Sequence, residues 1–160
     1  MNQRVLEKLR ASFGEAVLEA NEFRGELTVV VHRDRIVEMC RFLRDEPDLA
    51  FDLLSDLCGI DMNTPVRRFG VIYNMYSISR KHRIRLKVFV EEDDAKVPTV
   101  TGVWPTANWH ERETYDMFGI VFDGHPDLRR IYMPDEFEFH PLRKDFPLMG
   151  IRGSIPLPKK

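Results

Sequence analysis

The sequence predicts an α+β fold, a mixed or antiparallel sheet of about four to five strands with helices packed on it, followed by an extended C-terminal arm. Three observations carry that reading. Amphipathic helical stripes and β-branched runs alternate through the first half of the chain. Two long strand-like runs flank the polar tip Ser79-Arg80-Lys81-His82. Finally, Pro126, Pro134, Pro141, Pro147, Pro156 and Pro158 interrupt the C-terminal stretch, which carries little periodicity of its own.

Val5, Leu6, Leu9 and Phe13 recur at three- and four-residue spacing with charges between them, so residues 3–12 read as an amphipathic helix ending near Gly14. Leu27 to Val31 is a β-branched run and a strand. Asp34 is placed to cap a second helix whose Ile36, Val37, Cys40 and Leu43 face inward and which stops before Pro47. From Phe51 to Leu57 the apolar Phe51, Leu53 and Leu57 alternate with Asp52 and Asp56, and Leu54 breaks the pattern. This predicts a strand leading to turn residues Gly59, Asp61 and Asn63.

Phe69–Ile78 and Arg83–Val90 then form a hairpin. In its second arm Ile84, Leu86, Val88 and Val90 share one face while Arg83, Arg85 and Lys87 share the other. Every lysine, arginine, aspartate or glutamate between Val66 and Val90 is basic, which fits either a solvated sheet face or a surface for an acidic partner. Glu91–Asp94 reads as a solvated turn, and Val97–Val100 starts a connection ending at Trp104-Pro105. Thr106 is placed to cap a helix running through Trp109 to about Phe118, with Gly119 as its stop, and both tryptophans read as core anchors. Residues 1–123 are thus expected to form one compact domain and 124–160 an extended, Pro-rich arm. Ile131, Tyr132, Phe137, Phe139, Leu142, Phe146 and Leu148 make that arm too apolar for a free tail.

At 43% hydrophobic and 11% aromatic residues, the chain can build a core and is not disordered throughout. A net charge of -2 gives no strongly basic nucleic-acid footprint. Cys40 and Cys58 provide neither a disulfide framework nor metal-ligand spacing, which suits a reducing compartment. No apolar run reaches the roughly 18 to 20 residues that span a bilayer, and the opening residues predict no signal peptide.

The densest chemistry lies in Trp109–Gly119, where His110, Glu111, Arg112, Glu113 and Asp116 crowd among large apolar side chains. His110-Glu111 opens like the zinc pattern His-Glu-x-x-His, but the second histidine position is Thr114, and a single imidazole does not anchor zinc. No Glu-x-x-His pair, nucleophile elbow, phosphate-binding glycine loop or cysteine cluster occurs, so no catalytic, cofactor or metal residue is assigned. His125 and His140 precede prolines and read as hydrogen-bonded turn residues. An ion-pair network remains: Glu111, Glu113 and Asp116 meeting Arg112, Arg129 and Arg130, clamping the arm to the helix while its apolar side chains meet another protein of an assembly.

Glu111-Arg112-Glu113, two residues, Asp116-Met117-Phe118-Gly119, then His125, Arg129, Arg130 and Ile131-Tyr132 together resemble the motif of the 30 kDa family of respiratory complex I, the C-type subunits of the proton-pumping NADH–quinone oxidoreductase. Phe51–Asp61, the hairpin, Val103-Trp104-Pro105 and Arg143-Lys144-Asp145-Phe146-Pro147-Leu148 resemble other segments of that family, so the likeness covers most of the chain. The resemblance implies a cofactor-free, non-catalytic structural component of the peripheral arm, with FMN and Fe–S clusters in partner subunits. Those partners would be mainly the D-type subunit, with the I-type and B-type subunits nearby. It further implies the unfused form, and a place on the cytoplasmic side of the bacterial membrane, touched only through the complex. Electron flow from NADH to quinone, coupled to proton translocation, would be the work of the whole assembly. The equivalent component of a membrane-bound hydrogenase or of a ferredoxin- or coenzyme F420-linked complex is the alternative. From the residues alone, two others stand: a metal-dependent hydrolase on His110, Glu111, Glu113 and Asp116, and a nucleic-acid module on Arg80, Lys81, Arg83, Arg85 and Lys87.

Overall fold

The structure is a computed structural model that describes residues 1–154. Pro156 and Pro158, the last of the prolines expected to interrupt the arm, lie outside the described residues. The elements are α1 (Asn2–Phe13), β1 (Val17–Phe23), β2 (Glu26–Val31), α2 (Ile36–Asp45), β3 (Leu53–Asp61), β4 (Phe69–Ser77), β5 (His82–Val90), β6 (Lys96–Pro98), α3 (Ala107–Phe118) and β7 (Val121–Asp123). Five strands form one mixed sheet in the order β1-β2-β5-β4-β3, and β6 and β7 form a separate parallel pair. The fold is α+β, as the sequence predicts.

Register explains the core. Leu27 and Val29 of β2 stand beside Ile84 and Leu86 of β5, which oppose Met75 and Tyr73 of β4. All of these side chains are buried on one sheet face, under Val5 and Leu9 of α1 and Ile36, Met39, Cys40 and Leu43 of α2. β2 and β5 run parallel while β4 is antiparallel to both β5 and β3, so the β2–α2–β3 connection crosses the sheet. Period-two alternation put the right side chains of β5 inside because both neighbours of a central strand enforce the pleat.

Several local expectations are corrected. β1 escaped the sequence reading because it is an edge strand with little burial, so apolar alternation never develops in it. In β3 a register shift between Leu54 and Asp56 brings Leu54 and Leu57, three apart, onto the buried face and leaves Leu53 outside. Gly59 and Asp61 belong to that strand rather than to a turn. Asp34 does not cap α2: it sits in a short 3₁₀ turn whose Asp34 amide donates to the His32 ring. Thr106 makes no side-chain cap either, because the carbonyls of Trp104 and Pro105 already receive the amides of Ala107 and Asn108. The Val97–Val100 connection begins inside β6, too short a strand to show a period.

Gly59 sets the distance between α3 and the sheet. A Cβ there would lie 2.6 Å from the Phe118 ring and 2.8 Å from the Thr114 methyl. Gly59→Ala is therefore expected to force α3 outward and cost about 1–3 kcal/mol by overpacking. Urea unfolding reads this directly, with Gly102→Ala as the control because nothing stands within 4 Å of its added methyl. Equal midpoints for the two variants would show that α3 has slack.

Candidate functional site

The helix α3 distributes its charged residues by position. Ala107, Glu111, Thr114 and Phe118 fall on one buried stripe, Arg112 and Asp116 four apart on a second, and Trp109 and Glu113 point to solvent. No helix or strand occurs from Gly124 to Ser154 among the described residues. That segment returns across α3 instead, and its backbone groups find partners there.

Asp116 is the centre of this contact. One carboxylate oxygen, Oδ2, accepts the amides of Ile131, Tyr132 and Met133 at 3.0, 2.7 and 3.0 Å, and Oδ1 accepts Arg130 Nη1 at 2.6 Å. Burial by itself would raise this carboxyl's pKa. The amides of Met133, Tyr132 and Ile131 and the Arg130 guanidinium outweigh it and hold the group below the ordinary value. Arg112 grips the same segment by its carbonyls, with Nε donating to Arg129 O at 3.1 Å and Nη2 to Arg130 O at 3.3 Å.

The segment also caps the helix. The last carbonyls of a helix lack intrahelical partners and carry its negative dipole end, which favours cations. Here Asp116 O accepts His140 Nδ1 at 3.0 Å and Arg130 Nη1 at 3.3 Å, Met117 O accepts the Leu142 amide at 3.1 Å, and Phe118 O accepts Arg143 Nε at 2.7 Å. A carbonyl can only accept, so the His140 proton sits on Nδ1. Burial lowers the pKa of this imidazole, which favours the neutral ring. Gly119 takes the left-handed conformation that ends the helix, and a Cβ there would lie 2.5 Å from Arg143 Nη2. A second anchor lies on the sheet: Asp61 accepts the Lys144 amide at 2.8 Å, and Arg68 reaches Asp145 at 2.7 Å and Asp61 at 3.4 Å.

Glu111 faces the interior. Its carboxylate accepts the Val100 amide at 2.8 Å and the Thr99 hydroxyl, with His125 Nε2 at 3.9 Å. Burial pushes its pKa from 4.5 to about 7, against the opposing pull of the Thr99 hydroxyl and the Val100 amide.

The expected ion-pair network is therefore mostly replaced. Of the expected pairs only Asp116 with Arg130 forms. Glu111 points where no arginine comes, Glu113 stands in solvent, and Arg129 turns outward to Asp127 at 3.0 Å. Arg112 meets carbonyls, and its guanidinium stacks 4.8 Å from the Trp109 ring centre. Trp109 is 63% exposed, so only Trp104 is a core anchor. Tyr132 is 62% exposed, and Phe146 joins Phe137 and Phe139 in an aromatic cluster.

His110, Glu111, Glu113 and Asp116 diverge around the helix: His110 lies 3.8 Å from Asp56, while the other three point to the interior, to solvent and to the returning segment. Within the basic hairpin Arg85 pairs with Glu26 at 3.2 Å and Arg80 donates to the Pro47 carbonyl at 3.0 Å, and Arg67, just before it, pairs with Glu19. Sequence reasoning missed Asp61, Arg68 and Thr99, and gave His140 and Arg143 no role in capping. Asp61 read as a turn residue, and the only signal for Arg143 was its place in a charged hexapeptide.

Two measurements test this geometry. Asp116→Asn keeps the shape but removes the charge facing a nearly buried Arg130, and is expected to cost about 3–5 kcal/mol in urea unfolding. A loss within error would make the clasp decorative. Glu111 has a folded pKa above its unfolded one, so the folded state binds the extra proton and stability falls as pH rises from 4.5 to about 7. The fall is up to about 3 kcal/mol. Glu111→Gln is expected to flatten that interval of the stability–pH curve.

Comparison with known proteins matches the geometry to a family. Residues 29–152 match the family model described as Respiratory-chain NADH dehydrogenase, 30 Kd subunit. The chain is 54% identical over 147 residues to the C-type subunit of NADH-quinone oxidoreductase from Roseiflexus sp. (strain RS-1), covering 92% of this chain and 84% of that relative. It is 51% identical over 149 residues to the same component from Geotalea uraniireducens (strain Rf4), covering 93% and 90%. Among solved structures, the trypsin-resistant fragment (1-134) of Nqo5 superposes with a TM-score of 0.67 at 38% identity, covering 80% of this chain and all of the fragment. A chain of the membrane-bound sulfane sulfur reductase, an archaeal respiratory membrane complex, shares the fold with a TM-score of 0.78 at 22% identity, covering 92% of this chain and 86% of that one. With its clasp residues inside the matched span, the chain belongs to the 30 kDa subunit family of the respiratory-chain NADH dehydrogenase.

Proposed function

We propose that this chain is a structural component of the peripheral arm of an NADH–quinone oxidoreductase, and that its chemistry is attachment rather than catalysis. One observation carries the reading: the buried charges of the motif are consumed inside the chain, while apolar side chains on the same region face outward. Asp116, Arg112 and Glu111 are spent on backbone groups, Arg130 and Thr99. Trp109, Tyr132, Leu142 and Leu148 are left exposed, Leu148 completely. Exposed aromatic side chains on a rigid support are the usual anchors of protein–protein interfaces.

On this reading the chain divides at 123/124 into a compact domain and an arm that meets neighbouring proteins of the complex. The main neighbour is the D-type subunit, with the I-type and B-type subunits nearby. The flavin and the Fe–S clusters belong to those and other partners, and electron transfer to quinone coupled to proton translocation is a property of the assembly. The chain sits on the cytoplasmic side of the membrane and reaches it only through the complex. No helix among the described residues is long and apolar enough to cross a membrane. The equivalent component of a sister respiratory complex is the second reading, favoured by the fold shared with the archaeal sulfane sulfur reductase complex. Identity near one half to components of NADH–quinone oxidoreductases supports the first.

Truncation before Asp135 is a poor test, because it would also remove His140, Leu142 and Arg143 from the end of α3. Substitution separates the roles. Tyr132→Ala with Leu148→Ala, co-expressed with a D-type partner, is expected to keep its unfolding midpoint and lose co-purification, weakening binding roughly thirtyfold or more. Phe23→Ala, an exposed aromatic near the β1–β2 turn, is expected to bind normally. Normal recovery of the partner by the double variant would refute the assignment of this surface.

A further inference from the structure

The side chain of His125 is buried and its two ring nitrogens are committed to different segments. Nδ1 accepts the Asp127 amide at 3.0 Å, which places the ring proton on Nε2. That single N–H faces two acceptors: Asn108 O at 3.2 Å and Glu111 Oε2 at 3.9 Å. It can satisfy one of them well, and which one depends on the charge of the carboxyl. A protonated Glu111 has its own donor, which the Thr99 hydroxyl oxygen can accept, and leaves the imidazole on Asn108. An ionised Glu111 is a stronger acceptor than a peptide carbonyl in a buried site and draws the imidazole off it.

We propose that Glu111 and His125 form a proton-operated joint at the root of the C-terminal arm, in which ionisation of Glu111 moves the His125 N–H from Asn108 to the carboxylate. Because Nδ1 holds the Asp127 amide, the ring's movement is passed to the turn from Gly124 to Asp127, where the arm begins. The surroundings leave the decision to these two groups. Thr99 faces Glu111 from the segment after β6 and is itself bonded to Thr101. Cys40 on α2 and Tyr73 on β4 face the same interior, and burial raises the pKa of both, so they stay neutral through the working range. Among the described residues no lysine or arginine pairs with Glu111. The joint does not depend on which partner the arm meets.

The test is NMR on the full-length, ¹⁵N-labelled chain, titrated from about pH 5.5 to about pH 8.5 across the expected ionisation. The His125 Nε2–H proton is expected to move downfield as Glu111 ionises. The protection factor of the Asp127 amide, with the intrinsic pH dependence of exchange divided out, is expected to fall roughly fivefold as Glu111 ionises. Glu111→Gln is expected to abolish both changes, and the solvent-exposed Glu113→Gln to keep them. A wild-type Nε2–H resonance that stays in place throughout overturns the proposal even if Glu111→Gln fails to fold. So does a titration that survives in a folded Glu111→Gln.

Discussion

The carboxylate of Asp116 is the constraint on which the segment from Gly124 to Ser154 depends. A buried carboxylate costs several kcal/mol in lost hydration, which only good geometry offsets. Here the offset comes from three successive amides and one guanidinium, all supplied by residues 130–133. The dependence is mutual. The segment has no helix or strand to satisfy its own amides, and the carboxylate has no other partners, so neither is stable in place without the other. Once residues 130–133 are held, His140, Leu142 and Arg143 are brought to the open carbonyls of α3, and Lys144 and Asp145 reach Asp61 and Arg68 on the sheet.

This economy explains why most of a stretch dense in charge is turned to the chain's own backbone, with Glu113 left in solvent. The residue types that suggested an active site are those needed to fasten an irregular segment to a helix end: a carboxylate for amides, and arginines for carbonyls and for the dipole. What remains exposed on α3 and the segment mixes charged side chains with Trp109, Tyr132, Leu142 and Leu148. Glu111 differs from the rest because its site offers an amide and a hydroxyl but no cation, and so leaves its proton undecided.

The fold was legible wherever burial imposes a period. The face of β5 could be read from Ile84 to Val90 because two flanking strands hold the pleat, and the end of α3 could be read from Gly119 because only a residue without a side chain fits a left-handed turn beside Arg143. β1 was not legible, since an edge strand with no buried residue on either face needs no apolar alternation. In β3 the irregularity at Leu54–Asp56 interrupts alternation through the backbone, and the sequence marked the break at Leu54 but not which leucine turns inward. The candidate site was legible as a set of charged residues and illegible as a set of pairs. Helical spacing separates Glu111, Arg112 and Glu113 onto three faces, but the loop that arrives at each face comes from elsewhere in the chain.

By itself, the sequence determined the α+β class, the three helices, the hairpin, the stop of α3 and the family, because these rest on local propensity, periodicity and a motif of fixed spacing. The tertiary structure alone decided that Asp116 holds amides, that Arg112 holds carbonyls and the face of an exposed Trp109, and that Glu111 is buried beside Thr99 and His125. Apart from the Arg112–Trp109 stack, three residues apart, those outcomes depend on contacts between residues 11 to 18 positions apart, such as Val100 with Glu111 and Arg112 with Arg130, and no local pattern encodes which distant segment returns to which face.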